Sequence, residues 1–84
     1  MKQKEDNMID SATISLDNYM RPFGKWYSID ELYDIMYQAY KYERYSKVVL
    51  EKAINRLKLK NLLYVKLKNG ILYFRHKEYY HKVY

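Results

Sequence analysis

The sequence predicts an α+β domain in which three helices are followed by a C-terminal β-hairpin. Three observations carry that expectation. Apolar residues recur at spacings of three and four through the first two thirds of the chain, as amphipathic helices require. Ser28 and Ser46 each stand where such a pattern begins, in the position of a helix N-cap. The pair Asn69-Gly70 then separates two segments of alternating character, Leu62 to Lys68 and Ile71 to Lys77, and is the preferred pair for a two-residue type I′ turn.

The first helix is expected to start near Asp10 or Ser11, because Ile9, Ala12, Leu16, Tyr19 and Met20 share one face. Pro22 disfavours helical dihedrals at the preceding residue, so the helix should stop near Arg21, with a turn at Phe23-Gly24. Lys25 to Tyr27 is short, aromatic and expected to be extended. Ser28-Ile29-Asp30-Glu31 is a capping box that opens a second helix, with Ile29, Leu32, Ile35, Met36 and Ala39 inward and Tyr33, Tyr37 and Tyr40 along one flank. Lys41 to Tyr45 reads as the turn to a third helix, 46–60, capped by Ser46. Its inner face is Leu50, Ala53, Ile54 and Leu57 with Val49 beside them, and Asn61 is placed to take the left-handed conformation that closes a helix.

A two-residue turn pairs Lys68 with Ile71, and stepping back pairs Leu67 with Leu72, Val65 with Phe74 and Leu63 with His76. That face is almost wholly apolar and is expected to enter the core. The other face carries Lys66, Tyr73, Tyr64 and Arg75, so turn chemistry and alternation agree on one register. Residues 1–8 are read as a disordered tail, 9–77 as the domain and 78–84 as a C-terminal tail.

Charge is unevenly spread. From Ser46 to the end there are ten basic and two acidic residues, a net +8, whereas residues 1–45 hold six basic and eight acidic, a net −2. One part of the surface is therefore suited to a polyanion. Twelve tyrosines supply apolar area with a polar tip and are expected to line the edges of a small core. There are no cysteines, which excludes disulfide frameworks, cysteine zinc sites and thiol catalysis. Neither His76, expected as a hydrogen-bonded structural histidine, nor His81 has a second metal ligand in sequence reach, and two glycines make no phosphate-cradling loop. No catalytic residue, cofactor or metal is expected. Apolar runs such as Ile71 to Phe74 fall far short of the roughly 20 residues of a membrane span, and Met1 to Asn7 lacks the apolar stretch of a secretory signal, so an intracellular location is the expectation.

The order of helix, short extended piece, helix, turn, basic helix and hairpin resembles the winged helix-turn-helix family. The residues that carry the resemblance are Trp26 to Leu32, then Ser46 to Leu57, and finally Asn61-Leu62-Leu63-Tyr64 with the Asn69-Gly70 wing. The segment between the second and third helices is longer than is usual there, and an Asn stands where a Gly often closes the third helix. The resemblance implies a sequence-specific double-stranded DNA-binding transcriptional regulator. The helix at 46–60 would enter the major groove, and the wing at 66–71 would rest on the adjacent backbone or minor groove. Under it, Arg56 and Lys52 donate to guanine, Asn55 pairs with adenine, Val48 touches a thymine methyl, and Ser46 and Lys47 meet phosphate. Lys66, Lys68 and Asn69 form the wing, with Arg75 on backbone phosphates. A homodimer is expected, because one module of this size offers a small footprint. The Tyr-, Lys- and Ile-rich, cysteine-free composition also looks like that of proteins encoded by archaeal viruses or plasmids. The alternative is a winged helix that binds protein, using the tyrosine stripe and the apolar points Val48 and Leu59.

Overall fold

A computed structural model describes residues 3–39 and 45–78 of the chain. Helices α1 (Gln3–Met20), α2 (Ile29–Ala39) and α3 (Lys47–Leu59) are followed by strands β1 (Leu63–Lys68) and β2 (Ile71–His76). The predicted α+β order is therefore present, three helices and then a two-stranded antiparallel hairpin. Tyr40, the segment from Lys41 to Arg44 and the C-terminal tail beyond Glu78 lie outside the described residues.

The first helix begins at Gln3, not near Asp10, so the segment expected as a disordered tail is largely helical. The cause is tertiary. A short mixed-charge helix is marginal alone and needs packing to persist. Here Ile9 is buried, Met8 packs on the core, and Glu5 accepts from Lys52 on α3. The buried stripe of α1 is Ile9, Ala12, Leu16 and Met20, as the spacing predicts. Pro22 follows the last turn, and Gly24 takes a positive φ of 60° in the bend that leads to α2.

The capping box forms as read. The Glu31 amide donates to Ser28 Oγ at 3.2 Å, and the Ser28 amide donates to Glu31 Oε1 at 2.8 Å. Such caps contribute about 1 kcal/mol. Leu32 and Met36 are the buried residues of α2, whereas Ala39, expected inside, is exposed at its end. Just before the box, Tyr27 pairs with Phe74, its amide and carbonyl both bonded to that residue at 2.8 and 2.7 Å. The extended aromatic piece thus lies along the free edge of β2.

Ser46 Oγ accepts from the Val49 amide at 3.2 Å and caps α3. Val49, Leu50, Ala53, Ile54 and Leu57 are all buried. At the other end Asn61 adopts φ 60°, the Leu62 amide reaches the Leu57 carbonyl, and the Asn61 amide reaches that of Lys58. This is a Schellman closure with asparagine in the left-handed position. Tyr45, expected within the connecting turn, is buried against the helices, and its hydroxyl is 2.8 Å from Ser11 Oγ.

The hairpin has the predicted register, from Leu63 opposite His76 to Lys68 opposite Ile71, and Asn69 and Gly70 take φ 52° and 78°. Only the base of its apolar face is covered. Leu63, Phe74 and His76 are buried, but Val65, Leu67 and Leu72, expected in the core, are exposed. The helical layer ends near Phe74, while the strands run on for three more residues, about 10 Å at the usual rise per residue. Alternation marks which face is apolar; it does not place anything opposite that face.

His76 anchors the base of the hairpin. Its Nδ1 accepts from the Glu78 amide at 3.0 Å, so Nε2 carries the proton and donates to Asp17 Oδ1 at 2.5 Å on α1. Arg21 binds both oxygens of Asp17 at 2.8 Å and reaches Glu78 at 2.9 Å. The hydrogen bonds to Asp17 are the main cause holding the Arg21 guanidinium above its ordinary value, against some desolvation. The histidine has the structural role expected of it, tying the last helical turn of α1 to the end of β2.

Candidate nucleic-acid interface

The third helix presents a ridge directly opposite its buried face. Val48, Glu51, Lys52, Asn55 and Leu59 lie along it, with Val48 56% and Leu59 87% exposed. All five of these residues are exposed. Its start is fixed by the Ser46 cap and its rotation by Leu50, Ala53, Ile54 and Leu57, so the outward side chains have no freedom to turn inward.

The ridge has two unlike flanks. On one side lies the N-terminal half of α1. There Lys52 is ion-paired with Glu5, and Arg56 with Asp10. Arg56, expected to read guanine, is half-buried and leans toward α1 instead of standing at the crest. On the other side a cleft of about 480 Å³ separates α3 from the hairpin, with Ile29, Ile54, Leu72 and Phe74 as its apolar lining and Asn55 and Lys58 at its edge. Lys47 sits at the head of this cleft and donates to Asp30 of α2 at 2.8 Å. The carboxylate raises the Lys47 pKa, first through that hydrogen bond and then through its charge.

The wing side chains divide similarly. Lys66 lies over the Trp26 ring at 4.3 Å, held by the ring's negative face. Lys68 and Asn69 are exposed at the tip. Arg75 is half-buried on the same face as Lys66, nearer the base. Lys77 donates to Asn61 Oδ1 at 2.5 Å and rests over Tyr64 at 5.1 Å.

The fold thus brings Val48, Lys52 and Asn55 onto one ridge, puts Ser46 and Lys47 at its start, and sets Lys66, Lys68 and Asn69 on a separate projection. It turns Arg56 aside and keeps Arg75 low on the wing. Two features went unread in the sequence. Lys58 shares the stripe of Lys47, Glu51 and Asn55 at spacings of four and three, a legible signal. The acids Glu5 and Asp10 had none, because their partners lie more than forty residues away.

Three of the ridge and flank cations are thus met by carboxylates from α1 and α2. All three pairs are solvent-exposed and screened by water, so a polyanion can displace them. Among the described residues no group of three or more His, Cys, Asp or Glu side chains is placed to hold a metal ion, and no helix is long and apolar enough to cross a membrane.

The class defined by these elements is α+β, three helices followed by an antiparallel hairpin, a layout compatible with a winged helix. Comparison with protein-family models, with curated proteins and with solved structures finds no match to this chain.

Proposed function

We propose that this protein is an intracellular, sequence-specific double-stranded DNA-binding regulator of winged-helix type. The ridge of α3 enters the major groove, and the wing lies on the adjacent backbone or minor groove. The observation that carries the reading is the open ridge of a capped, rigidly oriented helix beside an exposed hairpin, both rich in cations. A helix of this diameter fits the major groove, and an amide and an ammonium side by side, Asn55 and Lys52, match adenine and guanine edges. Lys47 and Lys58 lie along the cleft flank of the ridge, and Lys66 and Lys68 stand on the wing beyond it, where phosphates would pass. One module covers a single half-site, so the protein acts as a homodimer on a paired site.

The roles differ in a measurable way. Asn55→Ala should weaken a selected cognate site by about 1–3 kcal/mol and leave random duplex almost unchanged. Lys68→Ala should weaken both alike and flatten the log-log salt slope by about 1. Fluorescence anisotropy on the two duplexes checks this, and the reverse order of effects refutes the assignment.

A second reading, a winged helix that binds protein, is favoured by the apolar points Val48 and Leu59 on the ridge and by exposed Tyr37 on α2. A protein partner would bury these points with little dependence on salt, and a duplex would not.

A further inference from the structure

The outer face of the hairpin alternates rings with cations. Tyr64 pairs with Arg75 and Lys66 with Tyr73, all four on the side opposite to buried Leu63 and Phe74. The bridge between Tyr27 and Phe74 adds a third stretch of chain to this ladder, which sets Trp26 opposite Arg75 on the same outer face. One row across the sheet is therefore Trp26, Arg75 and Tyr64, and the next holds Tyr73 and Lys66. Tyr64 is 51% exposed, while Trp26 and Tyr73 are half-buried. Tyr64 and Tyr73 are diagonal neighbours, about 7–8 Å apart, a gap that adjacent nucleotides of an extended strand can bridge.

The cations here differ from those of α3 in what holds them. Lys47, Lys52 and Arg56 are met by carboxylates, whereas Lys66 lies over the Trp26 ring at 4.3 Å and Lys77 over the Tyr64 ring at 5.1 Å. Lys66, Lys68 and Lys77 make no ion pair with a described residue. No residue from Asn61 to Lys77 is acidic. Of the carboxylates on neighbouring elements, Glu78 is taken by Arg21 and Glu31 by the Ser28 amide, and Asp30 and Glu51 line the cleft between the hairpin and α3. Aromatic faces set among cations complement flat bases strung on phosphates. A duplex hides its base faces within the stack, and a single strand offers them.

We propose that the outer face of the hairpin is a stacking platform for single-stranded nucleic acid. Bases lie on Tyr64 and Trp26, and Lys66 and Lys77 pass from those rings to the phosphates. Stacking of a base on an aromatic ring is worth more than an exposed cation–π contact, so the exchange is favourable. Every base has a π-face, so the platform tolerates any sequence. The site goes beyond the duplex reading and does not depend on it, since it shares Lys66 and Lys68 with the wing contact but none of the rings.

The test titrates the full chain with oligo(dT) of about 12 nucleotides, within the usual range of single-strand site sizes. Trp26 is the single tryptophan of the chain, so its fluorescence reports stacking directly. Wild type should bind the oligonucleotide with strong quenching, and inorganic polyphosphate should quench little. Oligo(U) run alongside tells DNA from RNA; quenching by either upholds the platform, and quenching by neither overturns it. Tyr64→Ala changes an exposed side chain, so its melting temperature should match wild type. It should weaken oligonucleotide binding at least about fivefold, the lower end of what one lost stack costs, and leave random-duplex affinity unchanged. Tyr64→Phe should bind as wild type does. Equal quenching by polyphosphate, equal losses on oligonucleotide and duplex, or a loss in Tyr64→Phe as large as in Tyr64→Ala overturns the platform. Duplex bound without the oligonucleotides overturns the platform and leaves the duplex reading standing; quenching by an oligonucleotide with no duplex binding upholds the platform and overturns the duplex reading.

Discussion

Leu50→Ala should lower the unfolding free energy by about 3 kcal/mol, within the range for a buried leucine truncated in a packed core. Leu50 is fully buried in the cluster shared by all three helices and the base of the hairpin. A chain of 84 residues has a stability of roughly 4–13 kcal/mol at ordinary per-residue values, so the loss is a large share of the whole. The melting temperature should fall by roughly 12–24 °C. Leu59→Ala is the matched control on the same helix, since Leu59 is the most exposed large apolar residue there, and it should change stability by less than about 0.5 kcal/mol. Thermal denaturation followed by circular dichroism distinguishes the two. Equal effects would mean that α3 is rotated from the orientation described, and with it the whole reading ridge.

The second large effect concerns α1. The double substitution E5Q/D10N should raise affinity for random duplex about tenfold at low salt. In the free protein Lys52 and Arg56 are held by Glu5 and Asp10, and binding DNA must release both. Two exposed pairs together account for about 1.4 kcal/mol, which is one factor of ten in affinity. The carboxylates also stand beside the path of the phosphates, so their removal relieves like-charge repulsion. Stability should fall by no more than the value of the pairs. Unchanged or weaker DNA binding in the double variant would show that neither cation takes part.

These ion pairs also mark the limit of what could be read from the chain. The Asn69-Gly70 turn and the alternation around it imposed one hairpin register, because a shift by one residue would have exposed Leu63 and Phe74 together. The caps of α2 and α3 were equally legible, since Ser28 with Glu31 and Ser46 with Asn61 are local signals whose partners lie within a few residues. Long-range facts were not. Residues 3–8 carry one apolar side chain, Met8, and only the proximity of α3 gives Glu5 a reason to be helical. Leu67 and Leu72 obey the same alternation as Leu63 and Phe74, yet lie on a rung that the helices do not cover, and Val65 is exposed although it pairs with buried Phe74. For the site, periodicity identified which cations leave the core face of α3, but their pairing with Glu5, Asp10 and Asp30 depends on how three helices meet. The +8 of the C-terminal half is consequently a smaller local field than its count suggests.

Duplex binding is the central claim, and its salt dependence tests it most directly. Purified protein titrated against a random duplex at 50 and 200 mM salt should bind at the lower concentration and lose about a thousandfold in affinity at the higher, the slope near −5 that about six neutralised phosphates imply. No binding at 50 mM, or binding that salt leaves unchanged, would contradict it.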